Sequence, residues 1–285
     1  MKYTADKQAL LLEILQQMAP DSSKNTLRAW LQSGRVSVDG QCAKRANTEI
    51  QAGQNVEVGA KVTFIKRLLR ILHEDDHIVV LEKPEGLLSV ATDKEKRATV
   101  HAMLKKQFHN RRVYPVHRLD RETSGVMLFA YSEHARDELK SQFEQQTVQK
   151  TYYAIVQNKV PLPSGKWESY LEEDDFYYVK STNDSVSGKL AITHYRVLKT
   201  EHNRSLLLLN PQTGRKNQIR VHCSEAGHPI VGDKKYGSKI NPVKRVCLHA
   251  QSITFTHPTT GRKMTFSAPL PDEFSKLVSD SKSSG

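Results

Sequence analysis

In the segment VYPVHRLDRETSGVMLFAYS a cluster of charged and polar side chains stands directly before an apolar run, Val126 to Ala130. Arg118 and Asp120 lie two apart, so on an extended segment both point to one face while Leu119 points to the other. A carboxylate and a guanidinium on one face could serve a reaction site as base, nucleophile or charge partner. Spacing alone leaves a plainer reading open, a surface ion pair followed by a Thr-Ser-Gly turn, and such pairs are common. His101, His109 and His117 form no recognised ligand set, and His222 beside Cys223 reads as packing or polar contact, so no metal site is expected. The chain has no Walker A or dinucleotide glycine pattern, which leaves ATP and NAD without a foothold.

The elements that must position these residues come from a chain of 285 residues, long enough for a small module beside a medium domain. Hydrophobic residues make up 38% and charged residues 26%, enough apolar material for a core without the charge excess of a disordered chain. Lys and Arg number 43 against 31 acids, a formal net charge of +12, which points to a polyanionic partner, with nucleic acid first. Cys42, Cys223 and Cys247 are too scattered for a disulfide framework or a zinc spacing and fit a reducing cytoplasm. The opening residues resemble neither a secretory signal nor a transit peptide, and no apolar run is long enough to span a bilayer.

Leu10, Leu11, Ile14, Leu15 and Met18 recur at helical spacing until Pro20, which predicts an amphipathic first helix. Asp21, Ser22 and Ser23 offer caps for a second, with Leu27, Trp30 and Leu31 on one face and Gly34 at its end. The run VSVDGQ predicts a short strand turning at Asp39-Gly40, and a further strand, VEV, follows Gly53. After the basic stretch Lys66 to Arg70, Ile78 to Leu81 reads as a buried strand broken by Pro84 and Gly86. β-like runs such as YYAIV, AITHYRVL, SLLLLN and ITFTH then dominate, with helices expected at 97 to 108 and 132 to 146. The order lacks regular βαβ alternation. It predicts an α+β fold with a mixed, mostly antiparallel β-sheet and flanking helices over 66–275, a small α/β module over 1–65, and a disordered tail over 276–285.

HRLDRETSG is similar to the HRLDxxTSG signature of the RluA-type ribosomal and transfer RNA pseudouridine synthases. The resemblance implies that Asp120 is the catalytic residue and that Arg118 binds substrate by helping to displace the target nucleotide. LEKPEGLLSV resembles the family's KPxG segment at Lys83, Pro84 and Gly86, which implies a substrate-binding role for Lys83. KTYYAIV matches at the active-site tyrosine, Tyr152, whose ring would pack on the target base and offer a hydroxyl; a structural tyrosine on a strand would look the same. TGRKNQIRVH resembles the TGRxHQIRxH segment, which implies that Arg220 pairs with the catalytic aspartate and that Ile219 touches substrate; a cation beside a desolvated carboxylate is expected to lower its pKa. Asn217 departs from the usual His there and is expected to tune structure or substrate fit without abolishing activity. Leu248-His249-Ala250 also matches.

Over roughly residues 8 to 62 the chain resembles the RNA-binding domain named after small-subunit ribosomal protein four. That resemblance implies phosphate contacts at Lys24, Arg28 and Arg35, although such charges are also common on any solvated helix. Gln54 stands where an acid commonly follows the glycine. Together the resemblances imply an enzyme that isomerises uridine to pseudouridine in structured RNA. Ribosomal RNA is favoured and transfer RNA is possible, with no cofactor, no metal and no required protein partner, acting as a monomer. Whether the aspartate attacks covalently or removes a sugar proton stays open, as do two other readings, a non-catalytic RNA-binding protein and a two-carboxylate hydrolase.

Overall fold

The computed structural model describes all residues except 33, 34, 44, 60–62, 66–68, 94 and 280–285. The expected helix end at Gly34, the start of the basic stretch after residue 65 and all but the first residue of SDSKSSG therefore lie outside the described residues. The chain divides into two compact units, Met1–Phe64 and Ile65–Gly285.

In the first unit two helices, Leu11–Met18 and Lys24–Gln32, accompany a sheet in the order Lys2–Thr4, Asn55–Val58, Val36–Val38, Gln41–Cys42. Leu11, Ile14, Leu15, Leu27 and Leu31 bury their side chains with Val36, Val56 and Val58, while Leu10 stays exposed just before the first helix. Asp39 and Gly40 both take positive φ, 48° and 80°, the conformation that a tight hairpin turn of matching twist requires. Gln54 has a local reason. Its amide donates to Asp39 Oδ2 at 2.9 Å, a bond that a second carboxylate could not make.

The second unit is built on one mixed sheet. Its strands run in the order Val179–Thr182, Ser164–Glu173, Lys189–Glu201, Arg204–Pro211, Gln149–Gln157, Leu248–Thr256, Ser124–Ala130, Ile78–Lys83, Leu69–Glu74. Neighbours in this order are antiparallel except for Ser124–Ala130 against Leu248–Thr256, which run parallel. Every residue of Ser124–Ala130 is buried, so its unbroken apolar run reads as a central strand covered on both faces. Gly125 has φ +117°, and a Cβ there would lie 2.1 Å from the Ala250 carbonyl oxygen; only glycine lets the parallel pair close.

The two helices expected at 97 to 108 and 132 to 146 form as Val100–Gln107 and Glu133–Glu144, each on a side-chain cap. Thr99 starts Val100–Gln107 by accepting the Ala102 amide, and Ser132 starts Glu133–Glu144 by accepting that of Ala135. The expected tail needs correction at its start. Residues Asp272–Leu277 form a helix, and Leu277 and Val278 pack into the main core with Phe274, so apolar burial carries ordered structure past residue 275.

Candidate active site

Asp120 sits in the loop that feeds the central strand Ser124–Ala130. Leu119 is 5% exposed and anchors this loop in the core beneath, while Arg118 is exposed and Asp120 half-buried on the opposite side. The alternation read from the sequence is thus realised. The backbone is clamped by Ser89, which is 2% exposed. Its hydroxyl accepts the Leu119 amide at 3.0 Å and donates to the Leu119 carbonyl at 2.6 Å. A turn bond from the Thr123 amide to the Asp120 carbonyl, 3.1 Å, fixes the far side.

Lys83 does not meet its expected role. It is fully buried and gives its ammonium to three carbonyls, Pro84 at 2.9 Å, Leu87 at 2.7 Å and Arg121 at 3.2 Å. The Gly86 amide and carbonyl both bond Arg121 as well, so this segment and the Asp120 loop are stapled together. Burial pulls the Lys83 ammonium down to about 8, with Asp120 and Glu122 opposing. Lys83 therefore positions the loop, because its three donors are spent on backbone.

A cavity of about 270 Å³ opens over Asp120, walled by His117, Arg118, Tyr152, Lys150, Ile219, Arg220 and the Thr213–Arg215 turn among others. Tyr152 lies on Gln149–Gln157, at a bulge against Leu248–Thr256 where the register shifts between Thr151 and Tyr152. A bulge re-aims a side chain, here into the cavity. Burial, with the charge of Asp120, pushes the Tyr152 hydroxyl well above the usual phenol range, so it stands as a neutral phenol. His117 accepts the Leu128 amide at Nε2, 3.1 Å, and stacks on Phe143. Burial pushes its pKa down to about 3, which makes it a neutral wall.

Arg220 projects from the helix Gln218–Glu225 with its side chain 6% exposed. Asp233, 1% exposed, takes it bidentately, Oδ2 from Nε at 2.6 Å and Oδ1 from Nη2 at 2.8 Å. The remaining nitrogen, Nη1, faces Asp120 at 3.7 Å, Glu122 at 3.4 Å and the Asn217 amide oxygen at 3.3 Å. The expected lowering of the Asp120 pKa does not follow. Desolvation is the largest influence and raises it; Arg220, Arg118 and Lys83 oppose, and Glu122 pushes it further up. Arg220 is already matched by Asp233, and it offsets the desolvation of Asp120 only in part.

Asn217, in place of the usual His, has a conformational reason. It sits in the left-handed region at φ 53°, which Asn tolerates better than most residues, and its amide donates to the Tyr236 hydroxyl at 2.9 Å. Tyr236 in turn packs its ring on Arg220, 5.0 Å from the guanidinium. Gln218, 4% exposed, braces the Thr213–Arg215 turn by accepting from Thr213 Oγ1 and the Arg215 amide. His222 is a polar contact, with its ring nitrogens near Thr193 and Ser169 hydroxyls.

Sequence reading gave no role to Ser89, Lys150, Asp233 or Tyr236. Asp233 and Tyr236 lie in GDKKYG, downstream of the TGRKNQIRVH segment, and a buried arginine needing an acid was the one available signal. In the first unit Lys24 and Arg28 stand one turn apart on an exposed helix face beside Gln16, Gln17 and Asn47. Arg35 is partly engaged, donating twice to the Gly59 carbonyl and lying over the Trp30 ring at 4.7 Å.

A carboxylate and an arginine beside a tyrosine ring in one cavity are a set that can serve an enzyme working on a single planar base. The comparisons agree with that class of enzyme. The RNA pseudouridylate synthase family model matches residues 77–225, and the S4 domain model matches residues 11–56. The ribosomal large subunit pseudouridine synthase D of Neisseria meningitidis serogroup A is 32% identical over 289 residues, covering 93% of this chain and 77% of that protein. The protein of the same name from Haemophilus ducreyi is 30% identical, covering 98% and 94%. The structure of human RNA pseudouridylate synthase domain containing 4 aligns with TM-score 0.61 and 27% identity, over 74% of this chain and 91% of that one. The chain belongs to the RNA pseudouridylate synthase family and is an isomerase acting on RNA. Among the described residues no helix is long and apolar enough to cross a membrane.

Proposed function

We propose that this enzyme converts particular uridines of large-subunit ribosomal RNA to pseudouridine, with Asp120 as the catalytic carboxylate. The observation that carries the reading is the convergence of Asp120, Arg118, Tyr152, Ile219 and Arg220 on one cavity. The relatives named for the ribosomal large subunit support the choice of RNA.

The reaction breaks the C1′–N1 bond of the uridine, turns the uracil and joins C1′ to C5. The C5 proton leaves and N1 gains one. Asp120 acts at the sugar and base, the Tyr152 ring packs on the uracil with its hydroxyl protonated, and Ile219 closes the apolar side. Arg220 holds charge beside Asp120 and is itself held by Asp233. A base inside a stem must leave its stack at a cost of a few kcal/mol, and exposed Arg118 at the cavity rim fills the gap. Lys24, Arg28 and Arg35 contribute phosphate contacts, with Arg35 in addition bracing its own module. The enzyme works as a monomer in the cytoplasm without a cofactor or protein partner.

Pseudouridine mapping of total RNA from cells lacking the gene, complemented by wild type or by Asp120→Asn, tests the whole reading. Sites restored in large-subunit RNA by wild type alone are expected. Restoration by Asp120→Asn would remove the catalytic assignment, and sites lost only from transfer RNA would redirect the substrate.

A further inference from the structure

Beyond the cavity the second unit carries an aromatic tip that its own core does not use. The hairpin of Ser164–Glu173 and Val179–Thr182 ends in a loop where Phe176 is 89% exposed and Tyr177 72%. Single exposed apolar residues are ordinary, but two adjacent aromatics on a built turn call for more. The turn is built by Asp174, whose Oδ1 accepts the amides of Phe176 and Tyr178, each at 2.9 Å. Tyr177 is held at φ +59°, a conformation that bulky residues rarely adopt and that costs free energy on every folded molecule.

The tip is tied to the reaction cavity. Val179 and Leu171 pack with Val221 and Tyr236, which fastens the hairpin to the Arg220 helix. Tyr178 lies 5.1 Å from the Tyr236 ring, and Tyr236 covers Arg220. Two lysines flank the tip. Lys216 sits 5.2 Å from the Tyr177 ring, between the cavity-lining Arg215 and Asn217, and is paired with Glu173. Lys235 donates to the Tyr177 carbonyl at 3.0 Å. The acids of the arm are largely committed, Glu172 to Lys180, Glu173 to Lys216 and Asp174 to the turn, which leaves Asp175 beside the rings.

We infer that Phe176 and Tyr177 stack on unpaired nucleotides of the RNA next to the uridine held in the cavity, with Lys216 and Lys235 meeting the intervening phosphates. Exposed aromatic faces beside cations suit single-stranded RNA, since every base offers a π-face while duplex bases are already stacked. The enzyme therefore selects uridines whose neighbours are unpaired. The inference rests on the function proposed above.

The test uses ribosomal RNA from cells lacking the gene and compares wild type with Phe176→Ser/Tyr177→Ser, Phe176→Leu/Tyr177→Leu and Phe176→Trp/Tyr177→Trp. Loss of stacking should raise KM about tenfold or more in the Ser and Leu pairs while kcat stays within about twofold, and the Trp pair should keep the wild-type KM. An unchanged KM in the Ser pair, or a Leu pair equal to wild type, would overturn the inference. Affinity for the same RNA, measured in an Asp120→Asn background, decides the tip even if no pseudouridine forms. Equal affinity with and without the aromatics rejects the stacking, whereas absent turnover by wild type rejects the function alone.

Discussion

Asp120 is uncomfortable where it stands, and its discomfort is measurable. Burial raises its pKa from the ordinary carboxylate value, which makes the ionised form costlier in the folded protein than in a free aspartate. A raised folded pKa means that ionising Asp120 costs stability at neutral pH, and the cost disappears below the unfolded-state pKa. Asp120→Asn should therefore raise Tm near pH 7, with a gain that shrinks as pH falls, while lowering the rate by about 10²–10⁴-fold or more. Thermal scans across pH beside single-turnover assays check both halves. Asp233 belongs to the same problem. Asp233→Asn leaves Arg220 buried without its bidentate partner, a loss of about 3–5 kcal/mol, and turns its charge toward Asp120. The acid limb of kcat/KM should move to lower pH in this variant; an unmoved limb would mean that Arg220 does not act on Asp120.

At the scale of elements, the loop bearing Asp120 is held by Ser89 and Lys83, which do not line the cavity. Ser89→Ala would leave the buried amide and carbonyl of Leu119 without their partner, costing about 1–3 kcal/mol. Since it loosens the loop and not the RNA contacts, kcat should fall more than KM rises, which steady-state kinetics can separate. Gly125→Ala drives a methyl into the Ala250 backbone on the parallel pair Ser124–Ala130 and Leu248–Thr256. Overpacking and positive φ together predict a loss of about 3 kcal/mol or more, visible as a fall in urea midpoint or in soluble yield.

At the scale of the whole molecule, each unit has its own core, and the cavity over Asp120 lies within the second. Lys24→Glu/Arg28→Glu should weaken RNA binding and reduce the salt slope by about one for each phosphate no longer neutralised, with kcat unchanged. A salt slope equal to wild type would take these two residues out of the interface. Arg35→Glu should weaken RNA binding and in addition lower the stability of the module, since its guanidinium also holds the Gly59 carbonyl and lies over the Trp30 ring.

Much of this protein was legible in its residues. Periodicity gave the two first helices, Asp39-Gly40 gave a turn, and alternation put Arg118 and Asp120 on one face with Leu119 in the core, because these patterns depend only on local backbone geometry. Residue types and motif order also carried the family. What the chain could not give locally were the partners supplied from afar. Lys83 became a backbone clamp because three carbonyls from two segments surround it. The Asp120 pKa rises because the surrounding fold removes water and sets Glu122 nearby, more than Arg220 offsets. The end of the last helix was set by the core that receives Leu277 and Val278. Burial and long-range pairing arise only when distant segments meet, and in this enzyme they shift the proton balance of the carboxylate that the motif had already marked.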